Sequence, residues 1–208
     1  MHTTARNQSH LFQLLVNFLK QKLPDTVFHH LPVTICNDYL SHLADNHLLD
    51  HDEILNDHDR PYDIVFYGDP RPERRAQYLN EIQKHFKVKI ICGAFGMDVV
   101  RELMKAKIIL NIHVFDDAIL EIGRIYEALS LKCHVISETA TDQNHHEHLN
   151  NIVDFCPVGD IQNMIKTIDA VLKNDNKHAQ SLTNLAEADL DKTLNDNFDI
   201  FVKTLFDV

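Results

Sequence analysis

Arginines follow a short, mostly apolar segment in a pattern that suits phosphate binding. Residues 62–67 end at Gly68, and Arg71, Arg74 and Arg75 stand at the start of the next helical segment. A strand that ends in glycine and runs into a helix brings backbone N–H groups and cationic side chains together. Guanidinium groups bind phosphate through charge-assisted hydrogen bonds. The pattern therefore predicts a site for a nucleotide or a nucleotide-sugar. The alternative is that these arginines are surface residues that only keep the end of the helix solvated.

A second charged group lies on a later helical segment. Glu121, Arg124 and Glu127 are spaced three residues apart, which makes them neighbours on one helix face. They are either a solvated stripe with internal ion pairs or a set in which Arg124 binds a diphosphate and a carboxylate binds sugar hydroxyls. Asp116 and Asp117 precede this segment, and we expect one of them to cap the helix.

Further candidates lie where predicted strands end, because ligands of open parallel sheets bind beyond the carboxyl ends of the strands. Gly93 and Gly96 flank Phe95, and glycine lets the backbone approach a flat base; such glycines are also common in ordinary turns. Asn111 and His113 follow the third strand. His113 either contacts a sugar phosphate or acts in acid–base chemistry, or it is a polar group that closes the strand end.

Alternating strands and helices are predicted to position these residues. Strands are predicted at 62–67, 88–92, 107–112, 133–137 and 151–155, and helices at 73–86, 97–106, 118–131 and 160–173. Segments such as 108–110 are apolar on successive residues, which indicates strands covered on both faces. The short connections favour an α/β fold with a Rossmann-like, doubly wound parallel sheet of about five strands.

Flanking segments extend this unit on both sides. We predict a helical N-terminal extension over 1–60, the Rossmann-like domain over 61–175 and C-terminal helices over 176–208. Within the extension, the pattern predicts an amphipathic helix over 8–23, a short strand over 33–36, a helix over 38–49 and a polar linker over 50–60.

Composition narrows the classes of function. The net charge of −11 argues against general nucleic-acid binding, whereas residues 60–107 carry a local +4 that suits a small anionic ligand. No apolar run reaches the roughly 18–20 residues that span a bilayer, and the start of the chain lacks a signal-peptide core, so we expect a cytoplasmic protein without a transmembrane segment. The four cysteines lie far apart and are predicted to be reduced thiols.

A metal site is not predicted, although the chain has 15 histidines. His145, His146 and His148 are near neighbours in the sequence, but only residues three or four apart converge on a helix. No GxSxG, Walker A or HExxH pattern occurs. We therefore expect no metal and no cofactor other than a donor substrate.

Taken together, these segments resemble the C-terminal half of GT-B glycosyltransferases. The nearest group is the "glycosyl transferases group 1" type related to spore-maturation CgeB-like proteins, and the similarity covers about residues 62–173. The residues that carry it are 63–68, 73–75, 108–113, 119–124 and 135–138. The resemblance implies that this half binds a nucleotide-sugar donor, such as a UDP- or GDP-sugar, without an obligatory metal, and transfers a hexose if it is active.

The resemblance also implies roles for individual residues. Arg74 or Arg75 and Arg124 would hold the diphosphate, the loop 93–96 would lie near the base, and Glu127 would lie near the ribose. Many GT-B enzymes carry two glutamates eight residues apart on this helix, and the first of these positions is Ile119 here. Only about 60 residues precede Tyr62, so a protein partner or a homo-oligomer would supply the acceptor site.

Other classes of function stay open. One alternative is a non-catalytic Rossmann-like module that binds a nucleotide or a protein partner, or one chain of a two-chain transferase. A flavodoxin-like regulatory domain is a weaker alternative, because arginines replace the acidic cluster expected at the end of the first strand.

Overall fold

The computed structural model describes residues 38–54 and 60–190. The elements in chain order are α1 Tyr39–Asp45, β1 Tyr62–Tyr67, α2 Glu73–Ile82, β2 Val88–Ile91, α3 Met97–Leu103, β3 Ala106–Asn111, α4 Ile122–Ser130, β4 His134–Glu138, β5 Asp154–Cys156, α5 Ile161–Leu172 and α6 Asp175–Glu187. Short 3₁₀ turns occur at His51–Glu53, Gln143–His145 and Glu147–Leu149. The helix predicted over 8–23, the strand predicted over 33–36 and the predicted helical tail beyond residue 190 lie outside the described residues.

The five strands form one parallel sheet in the order β2-β1-β3-β4-β5, which confirms the predicted doubly wound α/β fold. Phe66 of β1 pairs with Ile90 on one side and with Leu110 on the other, so β1 lies inside the sheet. The chain moves outwards from β1 to β2 and then returns past β1 to β3. Such a reversal opens a crevice at the carboxyl ends of the strands, where ligands of these folds bind.

The apolar strands are covered on both faces, as their sequences predict. In β1, Val65 belongs to one hydrophobic core, whereas Ile64 and Phe66 belong to the other, and all three are fully buried. Side chains alternate between the faces of a strand, so an uninterrupted apolar run supplies both cores. Residues of α3 and α4 complete the first core, and residues of α2 and α5 complete the second.

Helix α4 begins at Ile122, four residues later than predicted. The predicted cap by Asp116 or Asp117 is therefore wrong, because the residue that precedes the helix is Glu121. Contacts with a neighbouring loop hold the preceding segment out of the helix. The Leu120 N–H donates to the Asp142 carboxylate at 2.8 Å, and the Ala118 carbonyl accepts from the Thr141 N–H at 3.0 Å. Tertiary hydrogen bonds thus replace the first predicted turn.

Other boundaries differ from the predicted ones by up to four residues. Helices α2 and α3 end at Ile82 and Leu103 rather than at 86 and 106, and β5 begins at Asp154 rather than at 151. Arg60, predicted as the end of a linker, is buried, and its Nη1 donates to the Ala106 carbonyl at 2.7 Å. Within 38–54 and 60–190, no helix is long and apolar enough to cross a membrane.

The burial of β3 gives a test of this fold. Ile108 is 0% exposed, whereas Ile119 is 40% exposed. Ile108→Ala should lower the free energy of unfolding by roughly 2–5 kcal/mol, because it leaves a cavity in the sheet core. Ile119→Ala, the same substitution outside the core, should change it by less than about 0.5 kcal/mol. Urea denaturation followed by circular dichroism measures both, and equal effects would contradict the assignment of β3 to the core.

Candidate functional site

A cleft of about 440 Å³ lies at the carboxyl ends of β1 and β2. Its walls come from the ends of these two strands, the loop that leads into α3, and one side of α4. Residues predicted from the sequence as site residues line much of it, namely Gly68, Gly93, Phe95, Gly96, Arg124 and Glu127. The cleft therefore joins three separate segments of the chain, at 67–69, 91–99 and 124–127. Parallel strands bring their carboxyl ends to one edge of the sheet.

The loop between β2 and α3 presents an aromatic ring to solvent. Gly93 and Gly96 have φ values of +76° and +59°, which glycine adopts without strain. A Cβ at either position would meet no atom within 4 Å, so the backbone conformation, and not crowding, favours glycine there. Between them, Phe95 is 83% exposed. The loop therefore offers an open aromatic surface beside the cleft, of the kind on which a flat base stacks.

Arg124 is the cation of this cleft. Its guanidinium carbon lies 5.5 Å from the centre of the Tyr67 ring, and its Nη1 donates to Glu121 Oε2 at 3.2 Å. A Cβ on Gly68 would lie 3.1 Å from Arg124 Nη2, so the glycine makes room for the guanidinium. Among the described residues, no acceptor binds Nε or Nη2 of Arg124. Arg124 thus keeps donors for an anionic ligand.

Glu127 and Tyr67 form a hydrogen-bonded pair on the same wall. The Tyr67 hydroxyl donates to Glu127 Oε2 at 2.9 Å. Burial of the phenol and the negative charge of Glu127 raise the pKa of Tyr67 far above its usual value, so the hydroxyl remains a donor. Sequence reasoning missed Tyr67. Strand alternation offered a signal, since Tyr67 stands two residues after Val65 and points to the same side of the sheet.

Arg75 is committed to the protein interior. Its side chain is 3% exposed, and Nη2 donates to Glu121 Oε1 at 2.9 Å. Its Nε donates to the Ile112 carbonyl at 2.8 Å. Glu121 therefore bridges Arg75 and Arg124. Burial pushes the pKa of Glu121 up, but the interaction with the His113 side chain and the charges of Arg124 and Arg75 outweigh burial and hold that pKa below its usual value.

Arg74 binds a different carboxylate, that of Glu138. Glu138 is fully buried and accepts hydrogen bonds from Nη1 and Nη2 of Arg74 at 2.6 and 2.5 Å. Its oxygens also accept from the Tyr78 hydroxyl at 2.5 Å, from the His113 N–H at 2.9 Å and from the Gly159 N–H at 3.2 Å. The carboxylate thus joins α2, the end of β4 and the loops before α4 and α5.

Arg74 faces a different cleft from Arg124. Its Nε also donates to Asp116, and its side chain is 15% exposed. It lines a cleft of about 560 Å³ together with Phe115 and Gly159. The structure divides the loops at the strand ends between two clefts. The loops after β1 and β2 line the cleft of Arg124, and the loop after β3 lines the cleft of Arg74.

The remaining candidates at the end of β3 are buried. The His113 side chain is 0% exposed, and its Nδ1 lies 3.8 Å from Glu121 Oε2. Asn111 is 2% exposed, and its Nδ2 donates to Ser137 Oγ at 3.0 Å. Both side chains are therefore closed to solvent, and the Asn111 amide links β3 to β4.

Cysteine and metal chemistry add little to the site. Cys92 is exposed in the cleft, Cys133 and Cys156 are buried, and no disulfide joins these described cysteines. In the part of the chain that the structure describes, no three His, Cys, Asp or Glu side chains come together as metal ligands. The charged groups that line the cleft are Arg124, Glu127 and the carboxylate of Asp69, which Arg71 binds at 2.8 Å.

Comparison with known proteins does not supply a function. No family model matches this chain, and no curated protein matches it. Doubly wound α/β domains carry many unrelated activities, so function is inferred here from the residues of the cleft.

The Glu138 network gives a second test. Burial raises the pKa of Glu138, but Arg74, Tyr78 and the His113 N–H outweigh it and hold the pKa below the usual 4.5. The carboxylate therefore contributes stability above about pH 4.5, and this contribution is lost as the pH falls through the lower folded-state pKa. Glu138→Gln should cost about 3–5 kcal/mol at neutral pH, because it leaves Arg74 without its buried partner.

The pH dependence separates this effect from a general loss of packing. The difference in unfolding free energy between wild type and Glu138→Gln, measured by urea denaturation, should narrow as the pH falls below about 4.5. Glu81→Gln is the matched control, since Glu81 pairs with Lys84 on the surface and exposed pairs contribute little. A pH-independent difference for Glu138→Gln would show that its charge is not what stabilises the fold.

Proposed function

We propose that this domain binds a nucleoside-diphosphate sugar in the cleft at the ends of β1 and β2. The observation that carries the proposal is the state of the three predicted phosphate-binding arginines. Arg74 and Arg75 are bound to Glu138 and Glu121, whereas Arg124 keeps unused donors in a cleft. A binding site needs polar side chains whose donors are still available to the ligand, and Arg124 meets this requirement.

The residues around Arg124 suit the base and the ribose of such a ligand. Phe95, exposed between two glycines, would stack on the base. Arg124 would bind the diphosphate, and Glu127, of which only Oε2 is held by a described residue, would accept from ribose hydroxyls through Oε1. The cleft of about 440 Å³ falls within the roughly 300–1,000 Å³ of small-molecule sites.

Hexose transfer to an acceptor, without a metal, is the activity that this ligand implies. In such a reaction the bond between the sugar and the diphosphate breaks, and a cation stabilises the charge that develops on the leaving diphosphate. Arg124 would supply that cation. A protein partner or a second copy of the chain would supply the acceptor site, as the resemblance to the C-terminal half of GT-B enzymes implies.

A binding module without turnover is the second candidate. It is favoured because Arg74 and Arg75 are occupied by carboxylates, so one cation remains where the sequence predicted three. The only candidate base from the sequence, His113, is fully buried behind the cleft. Hydrolysis or transfer of the donor by the isolated chain would favour the enzyme, and binding without turnover would favour the module.

A thermal-shift screen tests the proposal directly. UDP, GDP, ADP, CDP and their sugar conjugates are added to the chain with and without Mg²⁺. A ligand that binds only the folded state raises Tm. We expect one diphosphate and its sugar conjugate to raise Tm selectively, without Mg²⁺. A Tm that none of these compounds changes would contradict nucleotide binding.

Arg124→Ala tests whether the ligand lies in this cleft. Loss of the charge-assisted contact should weaken binding by roughly 1.5–3 kcal/mol, which is about 10- to 100-fold in Kd, as measured by isothermal titration calorimetry. Arg101→Ala is the matched control, since Arg101 is a partly exposed arginine paired with Glu53 outside the cleft. Equal affinity of wild type and Arg124→Ala would remove Arg124 from the site.

A further inference from the structure

We propose that Tyr67 is a positioning residue that keeps Arg124 and Glu127 apart, so that Arg124 stays available to an anionic ligand. This inference rests on the proposed nucleotide site. It concerns a residue outside the set of site residues that the sequence predicted, at the last position of β1.

The spacing of the two charged residues makes such a separator necessary. Arg124 and Glu127 stand three residues apart on α4, where side chains of opposite charge are neighbours and readily form an ion pair. An ion pair between them would occupy donors of Arg124 that its contact with Glu121 leaves unused. Among the described residues, however, Arg124 pairs with Glu121 and not with Glu127.

Tyr67 contacts both partners. The guanidinium of Arg124 lies over its ring at 5.5 Å, in the arrangement of a cation–π contact. Its hydroxyl holds Glu127 Oε2 at 2.9 Å. A single side chain thus gives each charged group its own partner, and Glu127 Oε1 is left for the ligand.

The backbone of Tyr67 is itself well fixed. Tyr67 pairs with Ile91 in the parallel ladder between β1 and β2, and the next N–H, that of Gly68, donates to the Ile91 carbonyl at 2.9 Å. A tyrosine on a strand has few rotatable bonds, so it positions longer side chains at a low entropic cost. Binding sites gain affinity from such pre-organisation.

The mechanism predicts a rescue. Tyr67→Phe keeps the ring and removes the hydroxyl, so Glu127 is released and pairs with Arg124. Affinity for UDP, GDP and their hexose conjugates should fall by about two- to five-fold, the range of an exposed ion pair. In a Glu127→Gln background only the contact with Glu121 that Arg124 already makes remains, so adding Tyr67→Phe should leave Kd unchanged. Tyr62→Phe, at the other end of β1, is the matched control.

Calorimetric Kd values for the wild type, the two single variants and the double variant decide the question. If Tyr67→Phe weakens binding by the same factor with and without Glu127, the separator role is overturned while the nucleotide site stands. If wild type binds none of these nucleotides, the proposed site and the positioning role fail together.

Discussion

A carboxylate without contact with solvent can stay charged only if several donors surround it, and Glu138 shows how strongly this requirement shapes the carboxyl edge of the sheet. Burial of an unpaired charge costs several kcal/mol. Arg74, Tyr78 and two backbone N–H groups therefore converge on Glu138 from α2, from the loop after β3 and from the loop before α5. The Glu138 carboxylate thus fixes the positions of these three regions relative to one another.

The need to pair carboxylates with cations also explains why two arginines that are adjacent in the sequence bind different partners. Successive residues on a helix point in directions about 100° apart, so Arg74 reaches Glu138 while Arg75 reaches Glu121. The second carboxylate oxygen of Glu121 accepts a hydrogen bond from Arg124. The interior thus contains two carboxylate–arginine centres, and the second of them borders the cleft.

The cleft has few charged side chains, and neighbouring groups fix the position of its cation. Its cation lies between a shared carboxylate and an aromatic ring, next to a glycine whose missing Cβ makes room for it. Long charged side chains lose much conformational entropy when a ligand orders them. Here part of that cost is met when the protein folds, because Tyr67 and Glu121 already hold Arg124. Such an arrangement suits a ligand with a few well-placed charges better than a large polyanion.

The sequence by itself determined the fold class and half of the residues that line the cleft. Runs such as residues 108–110 require burial on both faces, and the order of strands and helices then leads to a doubly wound sheet, with loops at the carboxyl edge. That logic located Gly68, whereas the three-residue spacing of charges on a helical segment pointed to Arg124 and Glu127. It also placed strand β1 at the residues that the structure shows.

Only the tertiary structure decided how the charged side chains are shared. Periodicity describes the face of an element but not the partner across it, so it could not show that buried carboxylates occupy Arg74 and Arg75. It likewise could not place the start of α4, which depends on hydrogen bonds to a loop 22 residues away in the chain. Local pattern sets which residues reach the carboxyl edge, and long-range hydrogen bonds set which of them remain available there.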